Sequence, residues 1–136
     1  MKKKIEILAP AKDLFQGMAA INSGADAVYI GAPLYGARSN ATNSIEDVAE
    51  LVKYAHLFNA QVFVVINTIL YDNELESCRQ MIWKLYDVGV DALIIQDMAI
   101  MEMELPPIVL HASTQANNRD ADKIKFLADA GIKRVV

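Results

Sequence analysis

The 136-residue sequence predicts an α/β fold of parallel βα repeats, read as an incomplete (β/α)8 barrel. Three observations lead there. One junction, a helix end followed by a left-handed glycine or asparagine and a buried strand, recurs four times. The segments between the junctions carry apolar stripes of helical period. The chain also stops inside a strand, after five βα units and the start of a sixth.

The junctions read Ser23-Gly24-Ala25-Asp26-Ala27-Val28-Tyr29-Ile30-Gly31, Val88-Gly89-Val90-Asp91-Ala92-Leu93-Ile94-Ile95-Gln96 and Ala130-Gly131-Ile132-Lys133-Arg134-Val135-Val136. Asn59 fills the glycine slot before Gln61-Val62-Phe63-Val64-Val65-Ile66-Asn67. Glycine ends a helix at positive φ without a Cβ clash, and asparagine is the next-best residue for that conformation. These junctions and the apolar runs place strands at β1 (Ile5–Leu8), β2 (Ala27–Ile30), β3 (Val62–Asn67), β4 (Ala92–Ile95), β5 (Ile108–His111) and β6 (Arg134–Val136).

The intervening helices follow from period and caps. Asp13 caps a helix with Leu14, Phe15, Met18 and Ile21 on one face. Ser44 and Asp47 have capping-box spacing, ahead of the stripe Ile45, Val48, Leu51, Val52 and Ala55. Leu75, Cys78, Met81, Ile82, Leu85 and Tyr86 make another stripe. A short Met98–Met103 helix, capped by Asp97, ends before Pro106-Pro107; Ala121, Ile124, Leu127 and Ala128 form the last stripe.

Short apolar strands alternating with helices imply a parallel sheet covered on both faces. Such a sheet either lies open and doubly wound or closes into a TIM barrel. A doubly wound domain normally ends on a covering helix, and this chain ends at Val135-Val136. A full barrel takes about 250 residues. The expectation is therefore a single N-terminal barrel portion over residues 1–136, with an open edge at β6 that favours self-association.

Composition narrows the function classes. The chain is 54% hydrophobic and 22% charged, as a globular domain is, and its net charge is −4. The one basic cluster, Lys2-Lys3-Lys4, is too short for a nucleic-acid footprint. RNA is therefore expected as a partner only through regions outside this segment. No apolar run approaches the roughly 20 residues of a membrane span, so no membrane partner is expected. A single cysteine, Cys78, allows no internal disulfide and no cysteine-built metal site, and a reducing cytoplasm is the expected location.

Parallel α/β folds do their chemistry at the C-terminal ends of the strands. There the sequence offers Arg38 and Asn40 after β2, Asn67 on β3, Gln96 and Asp97 after β4, then His111, Ser113, Gln115 and Asn117 from β5 onward. His111 is the candidate acid/base, since free imidazole titrates near pH 6.5, with Asp97 a carboxylate partner or simply a helix cap. Strand alternation puts His111 and Ser113 on one side, but no acid is placed to complete a triad. Arg38 lies in the Gly31–Asn40 connection, longer than the usual βα loop, and its fork suits a carboxylate. Asn40, Asn67, Gln96, Ser113, Gln115 and Asn117 are candidate substrate hydrogen-bonding residues; Gln115 and Asn117 equally suit a helix start with Asn118 and Asp120. Cys78 reads as a buried structural thiol. His56, in the last turn of its helix, needs no role beyond suiting the helix dipole.

The blocks LAPAKDL, GADAVYIGAPLYGARSNA, Val65-Ile66-Asn67-Thr68, GVDALIIQD and LHASTQAN, in this order and spacing, resemble the N-terminal part of the collagenase-like peptidase family of unknown catalytic type. The resemblance spans nearly the whole chain. It implies either a peptidase acting on peptides or a tRNA or rRNA base-hydroxylation protein, since the family holds both. For the hydroxylation branch it further implies prephenate, a small organic acid that Arg38 would hold, and an iron–sulfur cluster held by cysteines of a later segment. A third reading is a non-catalytic half-barrel serving as an assembly or binding module. The chain departs from the family at Lys12, where glycine is usual.

Overall fold

The computed structural model describes residues 5–35 and 43–136. Six strands form one sheet in the order β1-β2-β3-β4-β5-β6, every neighbouring pair parallel. They span β1 (Leu8–Ala11), β2 (Ala27–Gly31), β3 (Gln61–Ile66), β4 (Ala92–Ile95), β5 (Val109–Ala112) and β6 (Arg134–Val135). The helices are α1 (Leu14–Asn22), α2 (Ile45–Leu57), α3 (Leu75–Asp87) and α4 (Ala121–Asp129). A doubly wound sheet reverses its strand order once, at the switch point. Here the order never reverses, so successive crossovers of one hand lay every helix on the same face and the sheet curls as part of a barrel.

That winding agrees with the expected barrel and not with the doubly wound alternative. The outward residues Val28, Ile30, Val62, Val64, Leu93 and Ile95 pack with the helices into the main core. The inward residues Ala27, Phe63, Val65, Ala92 and Ile94 form a second, separate cluster on the concave face, without helix residues. Each fully buried side chain of this size is worth about 1.5–3 kcal/mol against exposure.

The four left-handed junction residues hold, with Asn59 at φ 56°, Gly24 at 100°, Gly89 at 92° and Gly131 at 114°. Asp13 caps α1 by accepting from the Gln16 N–H, and Ser44 and Asp47 form a reciprocal capping box on α2. Three stripes need correction. Phe15 on α1 is exposed, Tyr86 on α3 is partly exposed, and on α4 only Leu127 is buried. The predicted Met98–Met103 helix is a 3-10 turn over Met98–Glu102.

Three strands are displaced from their expected bounds, β3 by one residue towards its start, to Gln61–Ile66. β1 runs through Pro10 to Ala11 and does not stop at Leu8, because on an edge strand the missing proline N–H costs no ladder bond. β5 starts at Val109 because Ile108 N–H is drawn back to the Pro106 carbonyl at 2.7 Å, and it runs one residue past His111 to Ala112.

Candidate functional site

The site is built where β3, β4, β5 and β6 present alternate residues to the concave face. His111 is the third residue of β5 and is paired in register with Ile94 on β4 and Arg134 on β6. Its ring meets Phe63 of β3 edge-on, with centroids 4.9 Å apart and planes at 83°. The side chain is only 5% exposed, and its Nδ1 has no hydrogen-bond partner among the described residues. Burial, then the Arg134 charge, push the imidazole pKa down to about 4, with Glu6 opposing them. At neutral pH His111 is therefore an uncharged imidazole with an open hydrogen-bonding position.

Ser113 lies two residues further on and is also buried. Its hydroxyl accepts the Gln115 N–H at 3.1 Å, capping the 3-10 turn Thr114–Ala116, while its own N–H donates to the Ile95 carbonyl at 2.7 Å. Among the described residues no hydrogen bond joins Ser113 to His111, and the two do not form a nucleophile–base pair.

Asp97 sits after β4 with both carboxylate oxygens engaged. Oδ1 accepts the Ala99 N–H and Oδ2 the Leu70 N–H, each at 2.9 Å. It thus ties the β3 loop to the β4 loop, and the structure does not bring it into hydrogen-bond contact with His111. Asn67 is half-buried and lies just past the end of β3, not within it.

Gln96, Asp97 and Gln115 line one open cleft of about 490 Å³ together with Ile69, Lys123 and Phe126. Its lining residues follow the C-terminal ends of β3, β4 and β5 or lie on α4. The Lys123 ammonium donates to the carbonyls of Ala116 and Asn117, closing the 3-10 turn. Asn117 takes the left-handed conformation at φ 56°, and Asn118 donates to the carbonyls of Ser113 and Val136. Helix α4 begins only after Asp120, which caps it. Gln115 and Asn117 therefore belong to the turn after β5 and not to the helix start.

Arg38 and Asn40 lie outside the described residues. The flanks of their connection are anchored. Buried Asn43 donates to the carbonyls of Lys12 and Gly31, and the hydroxyl of buried Tyr35 meets Ser77 at 2.6 Å. Sequence reasoning missed Asn43, and it also missed Glu6, Phe63 and Arg134. Arg134 donates to both carboxylate oxygens of Glu6, at 2.6 and 3.1 Å, and its guanidinium carbon stands 5.5 Å from the Phe63 ring centre. A charge inside each of the apolar runs IEIL and RVV was the available signal.

An iron–sulfur cluster takes four thiolate ligands. This chain has one cysteine, and burial, reinforced by Glu74 and Asp97, pushes the Cys78 thiol up to about 11. These residues do not fit such a group. Among the described residues no set of three His, Cys, Asp or Glu side chains converges as metal ligands would, and no helix is long and apolar enough to cross a membrane.

The sequence model described as peptidase family U32 matches residues 12–136. The chain is 54% identical to the 23S rRNA 5-hydroxycytidine C2501 synthase of Escherichia coli (strain K12), over 98% of this chain and 20% of that protein. It is 36% identical to tRNA hydroxylation protein P1 of Bacillus subtilis (strain 168), over 98% of this chain and 33% of the relative. The chain thus spans between a fifth and a third of the length of these curated relatives. Among solved structures, that of the U32 peptidase Mk0906 superposes with a TM-score of 0.75 at 14% identity, covering 99% of this chain and 60% of the other, a likeness of fold.

Proposed function

The chain belongs to peptidase family U32, and on that premise we propose that it is a barrel segment of an RNA base-hydroxylation protein. The observation that carries this reading is the similarity, across nearly its whole length, to the 23S rRNA 5-hydroxycytidine C2501 synthase. The site chemistry supports it. Hydroxylating a base ring asks the barrel to bind and orient a polar heterocycle, which suits a neutral, unpartnered His111 and the amides of Gln96 and Gln115. The oxygen-transfer chemistry and any cluster belong to groups this chain does not supply. A small organic acid held by Arg38 remains part of the proposal for the whole protein, with Asn40 and Asn67 as further substrate contacts.

The second reading is peptide hydrolysis, favoured by the family's description. It fits the geometry less well, since acyl transfer by serine needs a base within hydrogen-bond reach of the nucleophile, and the Ser113 hydroxyl caps a turn. The two are separated by deleting the gene and digesting total RNA to nucleosides for mass spectrometry. Loss of a hydroxylated pyrimidine, restored by the gene on a plasmid, is the expected outcome. An unchanged nucleoside profile, together with cleavage of unfolded collagen by the purified protein, would favour the peptidase.

A further inference from the structure

We propose that Glu6 and Arg134 are positioning residues of the candidate site: the guanidinium, gripped by the Glu6 carboxylate and laid over Phe63, is a fixed cation beside His111 that sets the place and the electrostatic surroundings of its ring on the concave face. The inference deepens the hydroxylation reading and rests on His111 acting in it.

The geometry is a chain of contacts. Glu6 precedes β1 and Arg134 opens β6, so their ion pair joins the two ends of the strand order across the concave face. Phe63, on β3 between them, carries the guanidinium 5.5 Å from its ring centre and the imidazole against its edge. Arg134 is also the register partner of His111 on the neighbouring strand. The pair is more than a third exposed on both sides, where solvent screening leaves an ion pair little weight in stability. Its larger effect is on the buried group beside it. The flanking strands β3 and β4 meet His111 with Phe63 and Ile94, which bring no charge, so the charges acting on it are Arg134 and, with opposite sign, Glu6. Arginine keeps its charge across the physiological range, so together with burial it favours the neutral imidazole, whose buried Nδ1 has no hydrogen-bond partner among the described residues.

Neutralising Arg134 must move the His111 titration while the charge-conserving lysine leaves it in place, a split that a merely structural role would not give. The readout is imidazole NMR titration of the full chain, with the His111 signal assigned by its loss in His111→Ala. Arg134→Met is expected to raise the His111 midpoint by at least about half a unit and Arg134→Lys to leave it near the wild-type value. If Arg134→Met does not fold, Arg134→Gln takes its place with the same expectation. A His111 midpoint unmoved by neutralising Arg134, or raised as much by Arg134→Lys, overturns the proposal. Unaltered RNA hydroxylation in His111→Ala would instead remove the functional reading and leave the titration result standing.

Discussion

Asp97 shows how one carboxylate can look catalytic and act as a clasp. Its two oxygens take backbone N–H groups from different loops, so Asp97→Ala orphans the donor on buried Leu70 and removes a cap. A loss of about 1–2 kcal/mol in urea unfolding is expected; an unchanged midpoint would mean the clasp is dispensable. His111 makes a sharper prediction. Its imidazole titrates near 6.5 when unfolded and about 4 when folded, so between those values the unfolded chain binds more protons. Its contribution is complete above pH 6.5 and is lost as pH falls towards 4, a change on the order of 3 kcal/mol. Unfolding of wild type and His111→Leu at pH 7, 5.5 and 4.5 should show the wild type losing its advantage; a gap that is independent of pH would contradict the burial. Residues acting through local spacing were legible in the sequence. Asp13, the Ser44–Asp47 box and buried Cys78 stand where their spacing put them. The Glu6–Arg134 pair was not legible, because 128 residues separate its members and only the curl of the sheet brings them together.

At the scale of elements, the junctions and helix contacts carry the energetics. Gly17 on α1 has no room for a side chain, since an added Cβ would lie 2.7 Å from Leu51 Cδ1, and Leu51 on α2 is fully buried. Gly17→Ala should therefore cost about 1–2 kcal/mol through overpacking of α1 on α2. Gly31→Ala, with nothing within 4 Å among the described residues and no positive φ, should be nearly neutral. Equal unfolding midpoints for the two variants would contradict this packing. The left-handed junction residues made β2, β3, β4 and β6 legible, since a helix end that turns directly into a buried strand needs such a residue locally. Strand bounds were less so. Pro10 looks like a strand terminator until β1 is known to be an edge, and an edge position is a property of the sheet. The α4 stripe failed for a related reason. Period alone does not show how much of a helix has a neighbour, and beside the open cleft Ile124 and Phe126 remain exposed.

For the whole molecule, the barrel curl was legible from repeated βα units, and the concave face was not, because inward residues of a parallel strand are as apolar as outward ones. β1 and β6 each have only one neighbour strand, and Ile5, Ile7, Val109 and Val136 leave apolar surface exposed. Unpaired strand edges with apolar borders favour association. Light scattering after size exclusion should therefore find this 136-residue chain larger than a monomer at micromolar concentration, and a sharp monomer peak would count against it.

The central claim is that the concave face, through His111, serves RNA base hydroxylation and not serine peptidase chemistry. Its most direct test is nucleoside mass spectrometry of RNA from a gene-deleted strain carrying the wild-type gene, His111→Ala or Ser113→Ala. The expected result is a hydroxylated pyrimidine reduced at least about tenfold by His111→Ala and less than about threefold by Ser113→Ala. Full modification with His111→Ala, or its abolition by Ser113→Ala in a protein that still folds, would contradict the account.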